Sequence, residues 1–175
     1  MLNLPSLPYC YTPEHEAFRE SLRAFVAQEI TPYVNDWDEA GTFPRALYGK
    51  AAHLGLLGLG YPEAYGGIGL SMAQECRVAY ELAQTALAFR STIGTNVGIG
   101  SQGILFDGTE AQKAKYLPKL ATGELIASFA LTEPDAGSDA ASLRTTAIRG
   151  TDAQGDHYIV NGTKRYITNS PHAGI

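Results

Sequence analysis

The sequence predicts an α+β fold: an all-α helical N-terminal domain over residues 1–122, then the first strands of a β-barrel-like domain over residues 123–175. Three observations carry this. As far as Gly123, apolar residues recur at helical spacing between N-cap signals and glycine stops. Beyond it the period falls to two, with Leu125, Ala127, Phe129 and Leu131 alternating with Ile126, Ser128 and Ala130. Asn161-Gly162 then stands between two β-rich runs in "HYIVNGTKRYIT", the strongest short-range hairpin signal a sequence offers.

Each element has its own warrant. Thr12 before Pro13 reads as an N-cap with proline at the first helical position, and Glu14 and Glu16 suit the positive end of the helix dipole. Phe18, Leu22, Phe25, Val26 and Ile30 then follow helical spacing until Pro32. A second helix is expected from Pro44 to Leu54, stopped by Gly55. The loop "GLGYPEAYGGIG" is too rich in glycine for regular structure. Ser71 with Gln74 forms a capping box, and Met72, Cys76, Ala79, Leu82, Ala83, Ala86 and Leu87 give the next helix one apolar face. Thr109 with Gln112 repeats the box before a helix carrying Tyr116 and Leu120 and ending at Gly123. Between these boxes Gly94 and Gly98 lie one turn apart, which permits close helix packing or leaves room for a ligand. "RTTAIRG" completes the set of expected strands, and no internal repeat appears. Four strands with no return path seldom make a stable domain, so further chain is expected beyond them.

Bulk properties exclude several classes. The 175 residues are 45% apolar and 18% charged, enough hydrophobic mass for a core. A net charge of −5 with scattered Lys and Arg argues against nucleic-acid binding. No stretch reaches the ~18 apolar residues of a membrane span. The opening "MLNLPSLPYCYTPEHE" lacks a basic leader, and two cysteines without metal spacing, Cys10 and Cys76, suit a reducing compartment. A cytoplasmic location is the expectation.

The chemistry concentrates in "FALTEPDAGSD", Phe129 to Asp139, where a strand turns polar. Glu133, Asp135 and Asp139 are candidate acids or bases, but Pro134 fixes a turn among them and nothing apolar lies near to raise a pKa. No histidine accompanies them, and the spacing is not that of a calcium loop. An anion cradle fits better: Gly137 admits close backbone approach, Ser138 offers hydroxyl and N–H, and Thr132 at a strand end can reach a heteroaromatic edge. Composition alone leaves a plain polar turn equally open.

"FALTEPDAGSD", "VNGTKRYITN" downstream and "GTEAQKAKYLPKLATGE" upstream, in this order and separation, resemble the acyl-CoA dehydrogenases over nearly the whole chain. The resemblance implies a helical domain, a β domain and a C-terminal four-helix bundle absent from these residues, in a homotetramer binding FAD. It further implies that Phe129, Leu131, Thr132, Gly137 and Ser138 line the flavin. Leu131 and Thr132 would bond its pyrimidine edge, and Ser138 would reach a pyrophosphate oxygen and the acyl-CoA thioester arm. Tyr166, Ile167 and Thr168 would form the second flavin segment, with Tyr166 covering one ring face and Thr168 directed at N5. The family often has tryptophan where Tyr166 stands, and the two motifs are slightly farther apart here because of "RGTDAQGDHY".

The implied activity is α,β-dehydrogenation of an acyl-CoA thioester, as in fatty-acid β-oxidation, with electron-transfer flavoprotein as acceptor. The implied base is a glutamate beyond residue 175, so no catalytic residue is assigned and the 175 residues alone are expected to be inactive. The implied acyl path passes Ile93 to Gly103, so that Gly98→Leu is expected to shorten the preferred chain. The alternatives are a flavin oxidase of the same superfamily (acyl-CoA oxidase or nitroalkane oxidase) and a non-catalytic binding or oligomerisation module.

Overall fold

The computed structural model describes residues 12–153 and 155–175. Cys10, the opening residues read for a leader, and Gln154 lie outside the described residues.

Helix α1 (Pro13–Phe25) begins at Thr12, whose N–H donates to His15 Nδ1 at 3.0 Å, and runs on as a π-turn over Val26–Ile30. Helix α2 (Val34–Ala40) is unannounced in the sequence: its N-cap Tyr33 makes no side-chain cap, and Gly41 ends it at φ 66°. Helices α3 (Ala46–His53), α4 (Met72–Ala83), α5 (Leu87–Val97), α6 (Gln102–Asp107) and α7 (Glu110–Ala121) follow. Both capping boxes form. Ser71 N–H donates to Gln74 Oε1 at 2.7 Å; Thr109 N–H donates to Gln112 Oε1 at 2.8 Å, while Gln112 N–H donates to Thr109 Oγ1 at 3.2 Å.

The main core gathers Leu22, Ile30, Tyr48, Leu56, Leu57, Leu82, Phe89 and Ile93 from α1, the π-turn, α3, α4, α5 and the loop after α3. A second cluster joins Tyr61, Leu117 and Leu120 to Ala127. The expected apolar face of α4 is only partly buried. Leu82 and Ala86 are buried, whereas Met72 and Leu87 are 67% and 70% exposed. The face turned to α1 instead carries Glu81, 3% exposed, which accepts from Arg19 Nε and Arg23 Nε at 2.8 Å each and lies 3.3 Å from Arg77 Nε. Burial pushes the Glu81 carboxyl up, but the arginine hydrogen bonds outweigh it and hold it below the usual range. A paired charge satisfies its own desolvation, so the helix can bury it.

After Gly123 the structure departs from the expected four strands. Residues 124–132 form no regular strand, because their backbone partners are scattered rather than laddered: Ser128 N–H donates to Ile175 O at 3.0 Å and Gly174 N–H to Ile126 O at 2.9 Å, while Leu131 N–H turns back to Phe129 O at 3.2 Å. The regular β structure described is one antiparallel hairpin, β1 (Thr146–Asp152) with β2 (Gly155–Asn161), in which Ile148 faces Ile159. Its turn lies between Asp152 and Gly155, where Gly155 takes φ 108°. Asn161-Gly162 is therefore not the hairpin turn. Asn161 still pairs with Thr146, and a Cβ on Gly162 would stand 2.1 Å from Thr145 Oγ1, so this glycine serves close approach. The expected second strand at Tyr166–Thr168 is irregular as well, with Tyr166 at φ 58°. Among the described residues no helix is long and apolar enough to cross a membrane.

Candidate functional site

Two segments far apart in sequence lie side by side where the helical core meets the β portion. Arg165 N–H donates to Thr132 O at 2.9 Å, and Lys164 Nζ donates to Leu131 O at 2.9 Å. Both segments are anchored below. Asn96, fully buried on α5, accepts from Ala127 N–H at 2.8 Å, and Asn169 donates to Thr92 O at 3.1 Å and Ala127 O at 3.0 Å. Asn169 sits at φ 70°, a conformation asparagine tolerates better than most residues.

Glu133 begins the polar turn. Its N–H donates to Ala136 O at 2.8 Å and closes the loop around Pro134. The side chain is 6% exposed and accepts from Lys164 Nζ (2.8 Å), Thr145 Oγ1 (2.5 Å), Thr145 N–H (2.9 Å) and Arg144 N–H (2.7 Å). These donors, Lys164 first and then Thr145, hold its carboxyl down at about 2. A carboxylate so saturated is a poor proton acceptor. Asp135 pairs with Arg144 at 3.0 Å, and Asp139 accepts from Ser142 Oγ at 2.5 Å. No group of side chains suited to a metal ion occurs among the described residues.

The remaining anticipated residues surround this frame. Leu131, Thr132 and Ile167 are half-buried, while Phe129, Gly137, Ser138, Tyr166 and Thr168 are exposed. Gly137 lies against Thr132, where a Cβ would meet Thr132 Cγ2 at 3.9 Å. Among the described residues, the N–H and hydroxyl of Thr132 and the hydroxyls of Ser138 and Thr168 have no hydrogen-bond partner. Tyr166 is 80% exposed in the left-handed region that a bulky side chain rarely adopts, and Arg165 lies over its ring at 4.4 Å. Exposed donors on neighbouring backbone turns beside an exposed aromatic ring suit a polar heteroaromatic ring with an anionic arm.

A cavity of about 210 Å³ opens between α4 and α5, lined by Met72, Cys76, Ala79, Leu82, Ile93 and Gly98 among others. Met72, Cys76 and Ala79 of the α4 stripe thus face this cavity, while Leu82 and Ala86 are buried in the packed core. Arg90 and Glu75 are charged groups on its wall, and burial pushes the Glu75 carboxyl up. Gly98 is a poorer probe of the space than expected, since a Cβ there would meet Gly94 O at 2.6 Å and disturb the end of α5 itself. Sequence reasoning missed Asn96, Lys164 and Asn169. Each is a single polar residue whose partner is more than 20 positions away, and no local spacing signals that.

The acyl-CoA dehydrogenase N-terminal domain model matches residues 12–124, and the middle domain model of the same family matches 128–175. A probable acyl-CoA dehydrogenase of Bacillus subtilis (strain 168) is 41% identical over 170 residues, covering 96% of this chain and 28% of its own length. The crystal structure of an acyl-CoA dehydrogenase complexed with FAD from Bacillus anthracis superposes with a TM-score of 0.81 at 41% identity, over 95% of this chain and 28% of that one. A glutaryl-CoA dehydrogenase from Mycobacterium smegmatis in complex with FADH2 gives 0.84 at 34% identity, over 96% of this chain and 42% of that one. The chain therefore spans well under half the length of these relatives. With both domain models matched in order on either side of the junction that holds the two polar segments together, the chain belongs to the acyl-CoA dehydrogenase family.

Proposed function

We propose that this chain supplies the helical and middle-domain walls of an FAD-dependent enzyme that dehydrogenates an acyl-CoA thioester between Cα and Cβ. One observation carries the reading: the Arg165–Thr132 backbone bond sets two polar segments together while the donors of Thr132, Ser138 and Thr168 stay free. In this reading Phe129, Leu131, Thr132, Gly137 and Ser138 line the cofactor on one side, with Leu131 and Thr132 at its pyrimidine edge. Ser138 serves the pyrophosphate and the thioester arm. Tyr166, Ile167 and Thr168 form the other side, Tyr166 covering a ring face. FAD, when bound, supplies the acceptor for the hydride leaving Cβ. A neutral donor such as Thr168 stabilises negative charge arriving there without bringing charge of its own.

The α-proton needs a carboxylate free to accept it. Glu133 is excluded by its four donors, and we assign the base to no residue of this chain. The α4–α5 cavity takes the acyl tail, the Met72, Ala79, Leu82 and Ile93 part of its lining matching a hydrocarbon. Electron-transfer flavoprotein is the assigned acceptor, and a homotetramer the assigned assembly.

The test is direct. The full-length protein encoded by the gene is expected to purify yellow with FAD bound, and anaerobic acyl-CoA is expected to bleach its flavin band. A protein that stays colourless with added FAD overturns the reading. If bleaching occurs, oxygen consumption without reduction of electron-transfer flavoprotein would instead identify a flavin oxidase.

A further inference from the structure

We propose that Glu133 and Lys164 are a positioning pair: an ion-paired clasp, with Glu133 buried and Lys164 half-buried, that touches no substrate but sets the spacing of the two segments that receive the cofactor. This rests on the cofactor reading given above. Three stretches of chain meet at the Glu133 carboxylate. Oε1 takes Lys164 Nζ together with the N–H and hydroxyl of Thr145, and Oε2 takes the N–H of Arg144. Lys164 in turn spans from Oε1 to Leu131 O, the residue next to Thr132. The clasp thus ties Leu131–Glu133 to Lys164–Arg165 and to the entrance of β1 at Arg144–Thr145.

The direct roles open to these side chains are closed by their partners. Lys164 places its ammonium on two protein acceptors at 2.8 and 2.9 Å, which leaves it ill placed to hold a phosphate. Glu133 has both oxygens engaged, so it neither abstracts a proton nor ligates a ring edge. The pair is also charge-neutral, and the adjoining Arg144–Asp135 pair is too, so the clasp adds no net charge beside the exposed donors. What it contributes is geometry. Thr132 can offer its free N–H and hydroxyl at a fixed place only if the segment before it does not slide against Arg165. A positioned donor set discriminates sharply between right and wrong spacing.

The experiment uses the full-length protein stripped of FAD, with Glu133→Gln, Lys164→Met and the double variant, measured well below their thermal midpoints. FAD titration gives Kd, and the visible spectrum reports how rigidly the ring is held. Each single variant is expected to raise Kd by at least about tenfold, as expected when one partner of a buried charged pair is left alone. Each should also blur the vibronic structure of the flavin band toward that of free FAD. The double variant is expected to bind no worse than the weaker single, because the two changes remove one device. Singles that bind FAD with wild-type Kd and spectrum overturn the proposal, as does a double variant whose losses multiply. Should Glu133→Gln fail to fold, Lys164→Met, which leaves Glu133 three donors, decides alone by the same criteria. A wild-type protein that binds no FAD takes the cofactor reading and this one down together; wild-type binding with indifferent variants removes this one only.

Discussion

Glu133 has four donors around its side chain, and its acid behaviour follows from them. Its carboxyl is held at about 2, against an ordinary value of 4.5. The folded value lies below the unfolded one, so between these limits the unfolded chain binds more protons and stability rises with pH. The Glu133 contribution is whole above about pH 4.5 and is lost as pH falls toward about 2. Thermal midpoints of wild type and Glu133→Gln, measured across that window, are expected to differ most at its upper end and to converge at its lower end. A constant difference would show that ionisation of Glu133 does not stabilise the fold. Tyr166 is the other residue whose state is informative. A bulky aromatic at φ 58° and 80% exposed costs conformational energy without burying its ring, and Arg165, over the ring at 4.4 Å and donating to its hydroxyl at 2.6 Å, is the partner that holds it.

At the scale of elements, α4 serves two surfaces. Its Arg77, Val78 and Glu81 side meets α1 through the Arg19 and Arg23 bonds, while Met72, Cys76 and Ala79 face the cavity shared with α5. Ala79 is half-buried on that wall and already carries a Cβ, whereas a Cβ on Gly98 would meet Gly94 O at 2.6 Å. Ala79→Leu in the full-length protein is expected to shorten the preferred acyl chain. Displacing two methylenes removes ~1.6 kcal/mol of burial, about a fifteenfold loss in kcat/KM for the longest chains with little change for the shortest. An unchanged chain-length profile would mean the tail lies elsewhere. The β1–β2 hairpin is the contrasting element: Ile148, Tyr158, Ile159 and Val160 are all more than half exposed, and pairing with each other is its regular ladder.

For the molecule as a whole, the helical core and the β portion are stitched by two asparagines. Asn96 reaches from α5 to Ala127, and Asn169 reaches back from the C-terminal segment to Thr92 and Ala127. Asn169→Ala leaves two carbonyls without their donor and places alanine at φ 70°, so the full-length protein is expected to lose ~2–3 kcal/mol of stability. Asn169→Gly should cost less than Ala, because it removes only the hydrogen bonds. Denaturant midpoints at constant slope measure both; equal losses would mean that backbone conformation contributes nothing.

Helix starts and stops were legible because their signals are local. Thr12-Pro13, the Ser71–Gln74 and Thr109–Gln112 boxes, and Gly55 and Gly123 at φ 72° and 73° act within one turn of chain. The same holds for the polar turn around Gly137 and Ser138, both of which are exposed. Helix α2 escaped because it lacks a cap, and the hairpin turn was misplaced because Asn161-Gly162 has a shape that suits both a turn and a close approach. What the amino-acid order determined by itself was the helical frame, the polar turn and the family signature across them. Which side of α4 is buried, where Glu81 and Glu133 find their counter-charges, and how Thr132 comes to lie beside Arg165 were decided by tertiary structure. Those outcomes depend on partners 31 to 62 residues away, and hydrogen bonds between distant residues leave no periodicity in the chain.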